Sequence, residues 1–391
     1  MLDKAKSLLQ PSVRSAVPPF LVMDVVAAAA RLEAQGRRIV HMEVGQPAAK
    51  APSIAIAAAR AALSKGALGY TETLGIASLR ARISRAYREW HGLDVDPQRI
   101  VVTTGSSAGF ILAFLAAFEA GDRVAVPLPG YPPYRHILSA LGCQVAGIET
   151  TEQTRWSITG ENLLAHHRKQ PVKGVVIGSP ANPTGTMMSG PALADLIHRA
   201  EDAGIAVISD EIYHGLDYAF AAESAAHISS DAIIINSFSK YFCMTGWRVG
   251  WMVVPSALVR AVERLQQNLA ISVPTLSQIA AEAAFDGRTE LEKVRQGYQE
   301  NRRLLLEGLP RAGLDSFLPA DGAFYLYADV SRLSTDSFAF ATRMLQEAGV
   351  AVTPGIDFDP LRGNHFVRLC YAGSRRDMRE AIERIGTWLK A

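Results

Sequence analysis

A chain of 391 residues is longer than one hydrophobic core usually serves, so two domains are expected. Apolar residues make up 49% and charged residues 20%, which supplies a core and argues against disorder. Lys and Arg total 40 against 38 Asp and Glu, and the net charge of +2 gives no electrostatic reason to expect nucleic acid or an anionic membrane as a partner.

The start, MLDKAKSLLQP, lacks the long apolar region of a secretory signal. The alanine-rich stretch from Asp24 to Leu32 is too short to span a bilayer. Cys143, Cys243 and Cys370 are far apart and odd in number, fitting neither a disulfide framework nor a zinc site. A soluble protein of a reducing cytoplasm is expected. The histidines show no metal-ligand spacing, and neither GxGxxG nor GxxxxGK[ST] occurs.

From about residue 99 to 254 strand and helix patterns alternate, as in an α/β domain with a largely parallel sheet covered by helices. RIVVTTGSSAGFILAFLAAF reads as a strand, Gly105, and a helix with Phe110, Phe114 and Phe118 on one stripe. Ser106 and Ser107 then sit at a helix N-terminus, where free amides and the dipole favour a phosphate. The same serines could simply cap the helix. The apolar run GVVIG leads into SPANPTG (179–185), a turn signature that contains Asn182. GIAVIS ends in Asp210, with Tyr213 three residues on; an acid after a strand is often a turn or cap residue. After Pro274 a helical pattern runs through Ala280 and Ala284 past Arg302, and a mixed α+β segment follows.

The most telling segment is SFSKYFCMTGWRVG (237–250), at the carboxyl end of another apolar strand, where open α/β sheets bind ligands. Ser237 and Ser239 can donate to phosphate oxygens, Arg248 can form a two-pronged pair with the same group, and Lys240 can condense with a carbonyl. A phosphorylated aldehyde held covalently is implied, namely pyridoxal 5'-phosphate. That cofactor needs an anion beside its pyridine nitrogen, and Asp210 on the preceding strand qualifies. Its phenolic oxygen needs donors, which Asn182 and Tyr213 could supply. Arg368, inside the apolar strand HFVRLCY, would be costly if buried without a partner, and a substrate carboxylate is a suitable one.

The ordered set EVGQP (43–47), GYTETLGIASLR (69–80), TTGSSAG (103–109), PGYPPY (129–134), ANPTG (181–185), SDEIY (209–213), SFSKYFCMTGWRVG, GAFYL (322–326) and FVRLCYA (366–372) resembles the class I and II aminotransferases of fold type I, along nearly the whole chain. The resemblance implies that Lys240 forms a Schiff base with the cofactor, Asp210 pairs with the pyridine nitrogen, and Asn182 and Tyr213 contact the phenolic oxygen. It implies that Tyr131 stacks on the ring and that Gly105, Ser106, Ser107, Ser237, Ser239 and Arg248 surround the phosphate. Tyr70 would reach that phosphate from the neighbouring subunit of a homodimer, and Arg368 with the Gly45 amide would bind the substrate α-carboxylate. Residues 46–285 would form the large cofactor-binding domain, 286–391 the small domain, and 1–45 a segment joined to the small one.

The expected activity is transfer of an amino group from an L-amino acid to a 2-oxo acid by a ping-pong mechanism. Some relatives specific for dicarboxylates place a lysine just after the glycine of the phosphate loop, where this chain has Ser106 and Ser107, and Phe20 with Tyr131 would give an apolar lining. Neutral or aromatic donors are therefore expected, with 2-oxoglutarate or pyruvate as acceptor. Two alternatives stand beside this. A fold-type-I lyase acting on β-substituted amino acids would use a similar cradle, and a regulator with a borrowed aminotransferase fold would need a DNA-binding domain for which 42 residues before EVGQP leave little room.

Overall fold

The computed structural model describes residues 9–66 and 68–391. The expectation placed on the first eight residues of MLDKAKSLLQP lies outside the described residues. Helix α1 (Leu21–Ala34), strand β1 (Val40–His41), α2 (Ser53–Lys65) and α3 (Ala77–His91) come first. The alternating section follows: β2 (Ile100–Thr103), α4 (Gly105–Ala117), β3 (Arg123–Leu128), α5 (Pro132–Ala140), β4 (Gln144–Glu149), α6 (Gly160–Lys169), β5 (Gly174–Gly178), α7 (Gly190–Asp202), β6 (Ala206–Asp210), α8 (Ala225–Ile228), β7 (Ile233–Ser237) and β8 (Gly250–Val253). Helices α9 (Ser256–Leu269), α10 (Thr275–Ala284) and α11 (Arg288–Ala312) lead to β9 (Tyr325–Asp329), α12 (Ser337–Arg343), β10 (Val350–Ala351), β11 (Thr353–Pro354), β12 (Phe366–Cys370) and α13 (Arg375–Trp388).

Among the described residues seven strands form the main sheet in the order β2-β8-β7-β6-β5-β3-β4, and only β8 runs against its neighbours. The α/β architecture expected from the alternation is therefore present. Helices cover both faces, which is why the central strands read as continuous apolar runs instead of alternating ones. The pleat still divides them: Ile100, Val102 and Ile234 join one core, and Val101, Ile233 and Ile235 join the other.

Parallel pairing brings the carboxyl ends of successive strands to one edge. Gly178 on β5 pairs with Asp210 on β6, Asp210 with Ile235 on β7, and Ser237 with Gly250 at the start of β8. Thr103, the last residue of β2, pairs with Gly250 from the other side. Segments widely spaced in sequence thus end within one small region.

A second sheet, β11-β12-β9, is antiparallel, and a parallel ribbon joins β1 to β10. Arg368 sits mid-strand on β12 between Thr353 and Tyr327. The backbone of Met42 ties the two, since Met42 N donates to Ala351 O and Cys370 N donates to Met42 O.

Two expectations change in detail. The long helical pattern after Pro274 is split by a 3-10 turn at Phe285–Gly287, where Phe285 turns into an aromatic cluster with Phe238, Phe242 and Trp251. Helix α4 stops at Ala117, so Phe118 is extended, although its ring stays 6.2 Å from that of Phe114. The three cysteines are buried and free, and no helix among the described residues is long and apolar enough to cross a membrane.

Candidate active site

One pocket opens at the strand-end edge, between the main sheet and the antiparallel one. Of the residues expected at the site, Phe20, Gly45, Ser106, Ser107, Tyr131, Asn182, Tyr213, Ser239, Lys240, Arg248 and Arg368 line it. Gly105, Asp210 and Ser237 lie directly behind this lining. Tyr70 does not reach it: the side chain is 82% exposed, on a loop held to α10 by Thr275 Oγ1 donating to Gly69 O and Gln278 Nε2 to Thr71 Oγ1 at 2.9 Å.

Lys240 lies three residues past β7, and its Nζ donates to Gly45 O at 2.6 Å. Desolvation lowers its pKa to about 8, so a sizeable neutral fraction exists near physiological pH. Gly45 is required by close approach: a Cβ there would collide with the Tyr325 hydroxyl.

Asp210 ends β6 and is almost fully buried. Its Oδ1 accepts from Ile212 N at 3.1 Å and its Oδ2 accepts from the Tyr134 phenol. Burial raises its pKa to about 6, against the opposing pull of those hydrogen bonds and of the Lys240 charge. Glu211, the next residue, is held apart from the pocket: it accepts from Ser224 Oγ and Ala225 N, both at 2.8 Å. Tyr213 is buried, its phenol shares a 2.7 Å hydrogen bond with that of Tyr325, and desolvation pushes its pKa well up.

At the other end lie the hydroxyls and amides. Thr104 is the N-cap of α4 and no side chain caps this helix, so Ser106 and Ser107 are not spent on capping. Gly105 has a φ of +74°, and a Cβ at this position would overlap the Arg248 guanidinium, which packs against it. Arg248 itself adopts φ +52° and donates from Nη1 to Thr245 O at 3.0 Å. Ser237 Oγ donates to Ser239 Oγ at 2.9 Å.

Arg368 is 2% exposed yet has no ion pair among the described residues. Neutral acceptors replace the missing acid: Nη1 donates to Asn182 Oδ1 at 2.8 Å, and Nη2 donates to Glu43 O and to Thr353 Oγ1. The adjoining strand and the Glu43 carbonyl supply the acceptors of Nη2 within the protein. Among the described residues no carboxylate pairs directly with Arg368, and Nε has no hydrogen-bond partner. The guanidinium also stacks 4.5 Å from the Tyr325 ring centre.

These features suit the expected cofactor. Among the described residues Lys240, Arg248 and Arg368 line the pocket and no Asp or Glu does, so the lining asks for anions at two places, a phosphate near Arg248 and a carboxylate near Arg368. Asp210 is the buried acid behind the middle, where a protonated ring nitrogen would need it.

Sequence reading missed Val22, Met23, Val44, Ile212, Thr245 and Tyr325 as lining residues, and Tyr134 as the partner of Asp210. Tyr134, Tyr325 and Thr245 lie inside motifs that marked the site, PGYPPY, GAFYL and SFSKYFCMTGWRVG, so motif membership was the available signal. Nothing local marks Val22 or Met23, whose helix enters the pocket from a distant part of the chain.

Residues 37–385 match the family model described as aminotransferase class I and II. The valine–pyruvate aminotransferase of Mycobacterium tuberculosis is 49% identical over 382 residues, covering 97% of this chain and 98% of the relative. A crystal structure of an aminotransferase from Mycobacterium tuberculosis superposes with a TM-score of 0.95 at 49% identity, covering 98% of this chain and 99% of that one. The aspartate aminotransferase of Thermus thermophilus with maleate gives 0.91 at 32% identity, covering 97% of this chain and 100% of the other.

Proposed function

The chain belongs to the class I and II aminotransferases, and on that premise we propose that it moves the amino group of a neutral, apolar amino acid to a small 2-oxo acid, with pyruvate as acceptor. That it is a pyridoxal-phosphate-dependent amino-acid transaminase of fold type I follows from its family. The lyase alternative is not favoured, since the relatives that align along the whole chain are named aminotransferases.

The observation that carries the donor reading is the pocket wall. Phe20, Val22, Met23 and Val44 are apolar, and the only cations lining the pocket among the described residues are Lys240, Arg248 and Arg368. Each has a task at the phosphate or at the part common to all amino acids, which leaves none for a second carboxylate. The name of the Mycobacterium tuberculosis relative points the same way.

In this reading Arg368, with Asn182 and the Gly45 amide, takes the α-carboxylate and so fixes which bond at Cα faces Lys240. Asp210 serves the pyridine nitrogen, Tyr213 and Asn182 the phenolic oxygen, Tyr131 the ring face, and Gly105, Ser106, Ser107, Ser237, Ser239 and Arg248 the phosphate. The cofactor, when bound, supplies a protonated pyridine ring that takes up the electron pair left by cleavage of the Cα–H bond. Lys240 Nζ takes the Cα proton and gives one up later in the cycle, a role suited to its lowered basicity. The Phe20, Val22 and Met23 wall keeps water from this proton.

We further propose a symmetric homodimer in the cytoplasm, with Tyr70 serving the partner's phosphate site. Exposed Leu68, Tyr70, Leu269 and Ile271 support an interface near this loop. In the proposed domain organisation residues 46–285 form the large domain, 286–391 the small domain, and 1–45 a segment joined to the small one.

The test of the activity is a set of half-reactions: purified enzyme loaded with pyridoxal phosphate is mixed with single amino acids and no acceptor. Conversion of the bound cofactor to its amine form, with one equivalent of 2-oxo acid from valine or leucine and none from aspartate, is expected. Sustained release of ammonia without an acceptor, or a preference for aspartate, would overturn it.

A further inference from the structure

Helix α1 begins without a cap of its own. Its N-cap residue is Phe20, whose side chain accepts no hydrogen bond, so the first amides of the helix need acceptors from elsewhere. Two of them find one carboxylate more than three hundred residues away: Leu21 N donates to Asp357 Oδ1 at 3.3 Å and Val22 N to Asp357 Oδ2 at 3.4 Å. Among the described residues these amides are the only hydrogen-bond donors to that side chain, which is 4% exposed. Withdrawing α1 would leave the carboxylate buried with no donor, and that is costly.

The other side of Asp357 is anchored. It lies in the 3-10 turn Gly355–Asp357 after β11. Arg135 on α5 donates from Nη2 to Asp357 O at 2.8 Å and from Nη1 to Phe358 O at 3.0 Å. Asp357 therefore links the start of α1 to the helix that begins beside Tyr131. Phe20, Val22 and Met23, the residues at and around this attachment, are the ones that line the pocket, and Phe20 meets Tyr131 edge-on with ring centres 6.2 Å apart.

We propose that Asp357 is a positioning residue for donor selection: by holding the first turn of α1 it sets the apolar wall of Phe20, Val22 and Met23 against the side chain of the amino acid. The inference rests on the neutral-donor reading of the same pocket. Its consequence depends on side-chain length. Alanine presents one methyl group and gains little from the wall, whereas valine and leucine extend toward it. An effect of Asp357 through the neighbouring charge of Arg368 would instead change every donor alike, because all share the α-carboxylate.

The experiment compares the loaded wild-type enzyme with Asp357→Ala, Asp357→Asn and, as a direct change in the wall, Phe20→Ala. Steady-state constants are measured for valine and leucine at fixed pyruvate and for alanine at fixed 2-oxobutanoate, a monocarboxylic acceptor that differs from alanine's own product. Hydrogen exchange of the backbone amides of residues 20–24 is measured alongside. Asp357→Ala should lose about tenfold in kcat/KM for valine and leucine, through KM, and less than about threefold for alanine, as expected for the loss of one or two methylene contacts. Asp357→Asn should fall between, which covers the case of an alanine variant that folds poorly, and exchange at residues 20–24 should quicken in both. Equal losses for all donors, or unchanged exchange, would overturn the proposal. A wild-type enzyme with no preference for branched donors over aspartate would sink the donor reading by itself, and the exchange measurement would then still decide whether Asp357 holds α1.

Discussion

The phenol of Tyr134 donates a hydrogen bond to Oδ2 of Asp210, and the same ring stands edge-on to Tyr131 with centres 5.3 Å apart. One side chain thus braces both the buried acid and the aromatic residue lining the pocket. Tyr134→Phe keeps the ring and removes the donor, so the Asp210 carboxyl, already raised to about 6 by burial, should rise further. Pyridoxamine phosphate has no aldehyde and so binds without a bond to Lys240, and pyridoxamine, which lacks the phosphate, separates the phosphate's own ionisation at about pH 6 from that of Asp210. Binding of both should weaken as pH falls through about 6 in the wild type, and in the variant the loss should begin at higher pH. Identical midpoints would show that Tyr134 does not tune this acid.

Lys240 offers a second pH readout. Its pKa in the folded, cofactor-free protein is lowered to about 8 from an ordinary value of 10.5. Only the neutral amine attacks an aldehyde. The rate at which cofactor-free protein captures pyridoxal phosphate, followed by absorbance, should rise with pH through about 8, and Lys240→Ala should show no such covalent capture. The same shift has a stability consequence. Between about 8 and 10.5 the unfolded chain holds a proton that the folded one has lost, so the stability of the cofactor-free protein gains a contribution that grows as pH rises through this window. A capture rate flat from pH 7 to 9 would count against the lowered pKa.

Gly45 and Tyr325 occupy nearly the same space, since a Cβ on Gly45 would overlap the Tyr325 hydroxyl. Gly45→Ala should push Tyr325 away from Tyr213, move the carbonyl that Lys240 Nζ contacts, and lower kcat/KM by roughly a hundredfold or more, in line with misplacement of reacting groups by about 1 Å. Removing the offending oxygen in the double variant Gly45→Ala, Tyr325→Phe should recover part of the loss. A Gly45→Ala enzyme of near wild-type activity would place the strain elsewhere.

The proposed sharing of sites in a homodimer makes a quantitative prediction. With Tyr70 serving the partner's phosphate site, Lys240→Ala and Tyr70→Phe should impair one active site from different subunits, and a mixed dimer should hold one doubly altered site and one intact site. After subunit exchange of an equal mixture, about a quarter of all sites should be intact, and activity should rise to that level from the low values of either parent. Exchange verified by mass spectrometry with no gain would remove Tyr70 from the partner's site.

Much of this was legible in the sequence because the chemistry is concentrated at strand ends. A parallel sheet requires apolar runs, each run stops where the strand leaves the core, and the polar residue at the stop is conspicuous: Asp210 after GIAVIS, Asn182 after GVVIG, Lys240 just past the strand that ends at Ser237. The α/β class follows from the alternation of strands and helices, and the segment 237–248 by its residue types implies pyridoxal phosphate, whereas the other site roles are implied by the ordered family motifs.

Tertiary structure decided what joins these ends from outside. That Arg368 is buried with only neutral acceptors depends on pairing between β12 and β11 and on the approach of Glu43. That Tyr134 braces Asp210 depends on α5 packing back over the sheet, and that Phe20, Val22 and Met23 form a wall depends on Asp357 accepting two amides across more than three hundred residues. Sequence pattern reports what each segment must bury or expose within a few residues of itself. Which distant segment satisfies it is settled only when all the segments compete for the same space, acceptors and charge.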